Sequence, residues 1–119
     1  MLIQIVDDSP NMRETIKSVL SGLGATFIES GDGDQAVEQY RAHRPDLVIM
    51  DIRMSEGPLS GGRMDGITAT RVIRNSHPEA RVVVVTQYDD DELRASARGA
   101  GAIGYVLKDD LSALHSHIR

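Results

Sequence analysis

Five polar residues directly follow short apolar runs, each at a point where a buried strand would end. They are Asp7, Asp8, Asp51, Thr86 and Lys108. The exits of parallel strands share one edge of an open α/β sheet, and ligand sites form there, so we expect these side chains to converge. Taken singly, each has an ordinary interpretation, because Asp is common in turns and Lys is common on surfaces. The joint pattern favours a functional site.

The three acids predict a cation site. Two carboxylates about 4 Å apart repel by roughly 4 kcal/mol at an effective dielectric of 20, so the cluster must take up a proton or bind a cation. A few oxygen ligands suit Mg²⁺ or Mn²⁺, which keep bound waters and leave room for a phosphate. A carboxylate beside such an ion can attack phosphorus, while the ion and Lys108 neutralise the phosphoryl oxygens. The hydroxyl of Thr86 can donate a hydrogen bond to one of those oxygens.

The elements that position these residues alternate between strand and helix five times. We predict strands over residues 2–6, 25–29, 47–51, 82–85 and 102–107. The first helix begins at Ser9 and Pro10 and carries an apolar stripe that ends with Leu23. The second spans 34–43, the third runs to about Ser76 and the fourth opens at 89–92, where Asp89 and Glu92 are spaced like a capping box. The fifth starts near Leu111. This alternation predicts an α/β fold with a parallel sheet and helices on both faces.

The length, composition and net charge of the chain exclude several classes of function. The 119 residues predict one domain, spanning 1–119, and the absence of cysteine excludes disulfide and thiol chemistry. A net charge of −5 without a clustered basic face argues against direct nucleic-acid binding. No apolar run is long enough to span a bilayer, and the N-terminus does not resemble a signal peptide. We therefore expect a cytoplasmic protein with no membrane contact.

Several stretches around the polar residues match a known family. They are Val6-Asp7-Asp8-Ser9, residues 44–54, Met64-Asp65-Gly66-Ile67, Val85-Thr86 and residues 99–108. Through them the whole chain resembles the receiver domain of bacterial two-component response regulators. The resemblance implies a flavodoxin-like (βα)₅ fold with the strand order 2-1-3-4-5. It also implies a phosphoacceptor switch that catalyses only its own phosphorylation and dephosphorylation, rather than an enzyme with a separate substrate.

The resemblance gives several residues a role. Asp51 would accept a phosphoryl group from a sensor histidine kinase. Mg²⁺ or Mn²⁺ would be bound by Asp8, Asp51 and the backbone carbonyl of Arg53, with Asp7 acting through water. Lys108 would pair with the phosphoryl group.

Two further residues would carry the switch. Thr86 would move toward the phosphate and Tyr105 would rotate inward, which would change the face made by helix four, strand five and helix five. Such a change can drive formation of a homodimer and control an output, which we expect to be transcription.

The chain departs from the family pattern at three places. Ser55 stands where proline is usual, and a glycine-rich insertion over 55–63 delays the Asp65-Gly66 pair. Gln87 replaces a small residue after Thr86. Asp109 follows Lys108 in place of the frequent proline, which resembles the sub-group whose receivers precede a LuxR/NarL-type helix-turn-helix domain. Any DNA binding would then belong to an output domain outside this sequence. Helix five looks truncated, so we expect a receiver excised from a longer regulator, with a stand-alone receiver as the alternative.

Two rival functions remain open. A pseudo-receiver would have the same fold and act as an interaction module without phosphorylation. A haloacid-dehalogenase-type phosphatase would also form an aspartyl phosphate, but that family requires a second acid two residues after the nucleophile, where this chain has Arg53. A stable acyl phosphate would favour the receiver, and turnover of phosphate esters would favour the phosphatase.

Overall fold

A computed structural model describes residues 1–52 and 65–118. It contains five strands, four α-helices and one 3₁₀ helix in the described residues. The strands are β1 (Leu2–Val6), β2 (Thr26–Ser30), β3 (Leu47–Asp51), β4 (Val82–Thr86) and β5 (Gly104–Leu107). The helices are α1 (Pro10–Val19), α2 (Gly33–His43), α3 (Gly66–Ser76), α4 (Asp91–Ala100) and the 3₁₀ helix (Leu111–His117). The predicted alternation of strand and helix is confirmed.

The five strands form one parallel sheet in the order β2-β1-β3-β4-β5. This is the flavodoxin-like order that the resemblance implied. Strands β3 and β4 are buried at every residue, as expected for parallel strands that are covered on both faces. Because β1 lies directly beside β3, the residues that follow these two strands meet at the same edge of the sheet.

The helices cover the two faces of the sheet in unequal numbers. On one face, Ile16 of α1 and Leu114 of the 3₁₀ helix pack against the alternate residues Ile5, Ile49 and Val85 of the central strands. On the other face, α2 and α3 bury Tyr40 and Ile73, among other side chains, in a second cluster. Helix α4 continues this face through Ala97. Burial of both faces fixes the register of β1, β3 and β4, since a one-residue slip would turn the side chains of such a strand to the wrong layer.

Each α-helix begins at a side chain that accepts a hydrogen bond from a backbone N–H of its first turn. Ser9, Asp32 and Asp65 do so for α1, α2 and α3, and Pro10 follows Ser9 as predicted. For α4 the prediction was wrong by one residue. Asp90, not Asp89, is the cap, and its Oδ1 accepts from the backbone N–H of Leu93 at 2.9 Å. Asp89 instead pairs with Arg94 at 3.1 Å.

The reassigned cap gives a direct prediction. Replacing Asp90 with alanine should lower the free energy of unfolding by about 1 kcal/mol, because an amide of the first helical turn loses its acceptor. Replacing Asp89 with alanine should cost less, since it removes only a surface ion pair. Urea unfolding of the two variants measures the difference. An equal or larger loss of unfolding free energy in the Asp89 variant would mean that Asp89 is the cap of α4.

Three further expectations need correction. Helix α1 ends at Val19, and Leu23 is exposed rather than part of the apolar stripe. The chain turns away there through Gly22, which has a positive φ of 89°. Strand β5 begins at Gly104, two residues later than predicted, because the backbone N–H of Ala102 still bonds the carbonyl of Ala97 at the end of α4. Strand β2 spans Thr26–Ser30, one residue later in the chain than the predicted range of 25–29.

The predicted fifth helix is a 3₁₀ helix in the described residues. The backbone N–H of Ala113 bonds the carbonyl of Asp110, which is the short i→i+3 spacing. Leu111 and Leu114 are nevertheless buried, as the apolar spacing predicted. None of the described helices combines the length and apolar character that crossing a membrane requires.

Candidate functional site

The three predicted acids converge at the sheet edge. Asp7 and Asp8 follow β1, Asp51 ends β3, and one carboxylate oxygen from each lies within 4.8 Å of the others. Asp7 and Asp51 are almost completely buried, whereas Asp8 is exposed. Negative charges this close repel one another, so the cluster favours the approach of a cation. Among the described residues, this is the cluster that can hold a metal ion.

The two carboxylate oxygens of Asp7 have different surroundings. Its Oδ1 accepts a hydrogen bond from the backbone N–H of Ser9 at 2.9 Å, which helps to shape the turn into α1. Its Oδ2 is buried, and it has no well-aligned hydrogen-bond partner among the residues that the structure describes. The cation that faces it is the ammonium of Lys108, at 3.2 Å but poorly aligned for a hydrogen bond. A buried oxygen of this kind fits a bound cation or an ordered water.

Lys108 is the positive group of the site. Its Nζ lies 3.2 Å from Asp7 Oδ2 and 3.3 Å from Asp51 Oδ1, so it bridges the two buried acids. The backbone N–H of Lys108 bonds the carbonyl of Thr86 at 2.8 Å, which fixes where its side chain leaves β5. Burial alone would lower the pKa of Lys108, but the neighbouring charges of Asp51 and Asp7 outweigh it and raise that pKa. The side chain is therefore a full positive charge at neutral pH.

The backbone of Asp51 is in close contact with Gly66, the first residue of α3. The N–H of Gly66 donates to the carbonyl of Ile52 at 2.9 Å. A Cβ at Gly66 would lie only 1.9 Å from the carbonyl oxygen of Asp51. Only glycine allows α3 to approach this close, so Gly66 helps to position Asp51. The sequence placed Gly66 in a family motif without giving it this role.

Thr86 and Tyr105 are connected through the backbone of Tyr88. Thr86 is buried at the exit of β4, and its Oγ1 accepts a hydrogen bond from the N–H of Tyr88 at 3.2 Å. The hydroxyl of Tyr105 donates to the carbonyl of the same residue at 2.6 Å. The guanidinium of Arg94 lies 4.5 Å from the centre of the Tyr105 ring, in a cation–π contact. A hydrogen-bonded path thus joins the site to the face of α4 and β5.

Arg13 is a residue of this region that the sequence did not single out. Its Nη1 donates to the backbone carbonyl of Asp7 at 2.6 Å, and its Nε donates to Glu29 on β2 at 2.8 Å. It therefore holds the β1 exit against α1 and β2. An arginine in the second turn of a helix is too common to be a signal, so the sequence offered no basis for predicting this contact.

The structure thus brings Asp7, Asp8, Asp51 and Lys108 together, with Thr86 at the neighbouring strand exit. Tyr105 lies further out and reaches this group only through Tyr88. The backbone carbonyl of Arg53 and the insertion over 55–63 lie outside the described residues.

Comparison with known proteins identifies the family to which this fold belongs. The family model described as the response regulator receiver domain matches residues 3–119. The chemotaxis protein CheY of Bacillus subtilis is 39% identical over 107 residues, which cover 89% of this chain and 83% of that protein. The transcriptional regulatory protein DegU of Brevibacillus brevis is 33% identical over 116 residues, 94% of this chain and 46% of that protein. The chain thus spans most of CheY and about half of the longer regulator.

Two solved structures have the same fold. A two-component response regulator of the LuxR family from Aurantimonas superposes with a TM-score of 0.84 at 34% identity, over 97% of this chain and 79% of that one. CheY of Borrelia burgdorferi, solved as a complex with CheX, BeF₃ and Mg²⁺, superposes with a TM-score of 0.85 at 27% identity, over 99% and 86% of the two chains. The matching family model and these relatives identify the chain as a member of the response regulator receiver domain family.

Proposed function

We propose that this chain is a phosphoacceptor switch in which Asp51 receives a phosphoryl group from a sensor histidine kinase in a reaction that needs Mg²⁺ or Mn²⁺. The observation that carries the proposal is the buried Asp51 carboxylate, 3.3 Å from Lys108 Nζ and grouped with two further acids. A single carboxylate set among cation-binding oxygens and one fixed ammonium is suited to nucleophilic attack on phosphorus.

Transfer of the phosphoryl group is a displacement in which one bond to phosphorus forms as another breaks. An oxygen of Asp51 forms a bond to phosphorus as the bond from phosphorus to the histidine nitrogen of the kinase breaks. The nitrogen keeps the electron pair of that bond, and the product is an aspartyl phosphate. The ammonium of Lys108, already 3.3 Å from Asp51, neutralises charge on the phosphoryl oxygens, and the hydroxyl of Thr86 donates a hydrogen bond to one of them.

The metal fits the donor set in the described residues. Three carboxylates supply oxygens, and the buried Oδ2 of Asp7 has no well-aligned hydrogen-bond partner there. Asp8 and Asp51 would bind the ion directly and Asp7 through water, together with the carbonyl of Arg53. When bound, a divalent ion supplies positive charge that offsets the acids and the incoming phosphoryl group.

The proposed output is a change at the face of α4, β5 and the 3₁₀ helix. Movement of Thr86 toward the phosphate would disturb its bond with the N–H of Tyr88 and, through that residue, the contact with the Tyr105 hydroxyl. A change at this face can alter pairing with a second copy or contact with an output domain. Similarity to DegU, a transcriptional regulatory protein, supports control of transcription as the output. In this proposal the chain acts in the cytoplasm, and any DNA is bound by a domain outside this sequence.

The test is incubation with acetyl phosphate and Mg²⁺, followed by intact-mass measurement. We expect one added phosphoryl group on the wild-type chain and none on Asp51→Asn or after chelation of the metal. Asp34→Asn is the matched control, because Asp34 is an exposed acid in the first turn of α2. It should be phosphorylated like the wild type.

This assay, together with a measurement of phosphate released from phosphate esters, separates the rival functions. No mass gain with any small-molecule donor would favour the pseudo-receiver. Continuous release of phosphate from phosphate esters, without an accumulating phosphoprotein, would favour the phosphatase. Phosphorylation of Asp51→Asn would show that another residue is the acceptor.

A further inference from the structure

Arg13 of α1 contacts the backbone between two of the three clustered acids. Its Nη1 donates to the backbone carbonyl oxygen of Asp7 at 2.6 Å. That carbonyl and the N–H of Asp8 belong to one planar peptide, so a bond to the oxygen fixes the plane from which Asp8 leaves the chain. The donor is a guanidinium, and hydrogen bonds from a charged donor are shorter and stronger than neutral ones. Arg13 therefore restrains the turn that carries both acids.

Asp8 is the acid that this contact should affect most. The other hydrogen bonds at the turn restrain Asp7, whose N–H donates to the carbonyl of Ser30 at 3.0 Å and whose Oδ1 accepts from the N–H of Ser9 at 2.9 Å. Asp7 is also buried, whereas Asp8 is exposed. Surrounding side chains therefore constrain Asp8 less than Asp7, and the direction of the Asp8 carboxylate depends more on the peptide that Arg13 holds.

Arg13 is itself oriented by Glu29 on β2. Its Nε donates to Oε1 of Glu29 at 2.8 Å, while Nη1 of the same guanidinium reaches Asp7. The guanidinium is planar and its N–H groups form a rigid fork, so the bond to Glu29 sets the direction in which Nη1 points. The pKa of the Glu29 carboxyl is lowered, first by its hydrogen bond with Lys17 and then by that with Arg13. Glu29 is therefore a fixed negative charge at neutral pH.

The positive charge of Arg13 would by itself oppose the binding of a cation. A guanidinium close to the three carboxylates weakens the negative potential that attracts a divalent ion. The charge of Glu29 offsets this effect, so the pair supplies a directed N–H with little net charge. Removal of Arg13 should thus have two opposite effects on cation binding. Loss of the restraint weakens binding, whereas loss of a positive charge strengthens it, and the sign of the change separates the two.

We propose that Arg13, oriented by Glu29, is a positioning residue for the metal site. It holds the peptide between Asp7 and Asp8 so that the carboxylate of Asp8 stays grouped with those of Asp7 and Asp51. The inference rests on the proposed function, because it takes a divalent ion as the occupant of the three acids. It adds two side chains outside the acid cluster, one on α1 and one on β2, to those that set the affinity for that ion.

The test is titration of the chelator-treated, unphosphorylated chain with Mn²⁺, with the free ion measured by electron paramagnetic resonance. We expect the Kd to rise about tenfold in Arg13→Met, the lower end of the loss that follows removal of a hydrogen bond orienting a metal ligand. Arg13→Lys should weaken binding as well, because an ammonium keeps the charge but not the fork.

Lys17→Met is the matched control. Lys17 lies on the same helix and pairs with the same Glu29 at 3.0 Å, so its loss removes the same charge from the same partner. The printed contacts of Lys17 are with Glu14 and Glu29, not with Asp7. Its replacement should change the Kd less than about twofold. Urea unfolding in chelator, run in parallel, identifies the variants that are folded before Mn²⁺ is added, and Arg13→Lys decides the question if Arg13→Met is not.

The remaining outcomes are distinct. An unchanged or lower Kd in Arg13→Met, an equal rise in Lys17→Met, or wild-type affinity in Arg13→Lys would overturn the positioning role. A wild-type chain that binds no Mn²⁺ would contradict the metal site of the proposed function and this inference with it. The expected order of affinities in a chain that acetyl phosphate does not phosphorylate would support the role of Arg13 and contradict the phosphoacceptor function.

Discussion

Replacing Gly66 with alanine is expected to lower the free energy of unfolding by about 3 kcal/mol, at the upper end of the usual cost of overpacking. The added Cβ would lie 1.9 Å from the carbonyl oxygen of Asp51 and 2.9 Å from the Cα of Ile52. Both are backbone atoms of the segment at the end of β3, so neither can move without displacing the strand exit. Phosphoryl uptake by Asp51 should fall too, because its backbone is what the methyl group pushes aside.

A second glycine supplies the matched control. Gly99 lies inside α4, and a Cβ there would meet nothing within 4 Å. Gly99→Ala should therefore raise the stability by about 0.5–1 kcal/mol, because alanine has less conformational freedom to lose in a helix. Urea unfolding of both variants measures the opposite signs. A Gly66 variant as stable as the wild type would mean that α3 does not constrain Asp51.

Replacing Lys108 with methionine is expected to cost about 3 kcal/mol, the lower end for breaking a buried ion pair, since its side chain is 19% exposed. Asp7 and Asp51 would lose the ammonium that bridges them. Lys17→Met is the control. Lys17 also contacts two acids, Glu14 and Glu29, but at the surface, so its loss should be much smaller. Comparable losses in the two variants would show that the buried bridge contributes no more than a surface pair.

The contribution of Lys108 should depend on pH. Its pKa is raised in the folded protein, so the ammonium stabilises the fold fully below the pKa of an unfolded lysine. The stabilisation is then lost as the pH rises through the higher folded pKa. Unfolding of the wild type and Lys108→Met, followed from neutral into strongly alkaline buffer, should therefore converge at the alkaline end. A gap that widened with pH would contradict the bridging role.

The fold was predictable because its strands carry strong local signals. Four consecutive valines in β4 and the apolar run of β3 predict strands buried on both faces, and the structure buries every residue of both. The polar residues at the strand exits then followed from topology, because parallel strands place their exits at one edge. Proximity of Asp7, Asp8 and Asp51 also requires β1 and β3 to be neighbours, which the family resemblance implied and the sheet confirms.

Contacts between elements that are distant in the chain were harder to predict from the sequence. The approach of Gly66 to Asp51 depends on how closely α3 packs against β3, and glycine is also found at helix starts that make no such contact. The bond from Arg13 to the Asp7 carbonyl depends on a side-chain rotamer. The cap of α4 was misassigned because consecutive acids at 89–91 offer equivalent candidates, and only the local backbone selects Asp90. These two contacts and the position of the cap depend on packing and local backbone geometry, which the periodicity of the sequence does not encode.

The strand order has a mechanical consequence. The exits that carry Asp7 and Asp51 belong to β1 and β3, and each of these strands is hydrogen-bonded to a neighbour on both sides. Tyr105 belongs to β5, which has one neighbour in the described sheet. Displacing Asp7 or Asp51 would strain the hydrogen bonds to two neighbouring strands, while displacing Tyr105 would strain those to one. The sheet should therefore be stiffer at the strand exits that carry Asp7 and Asp51 than at the edge strand that carries Tyr105.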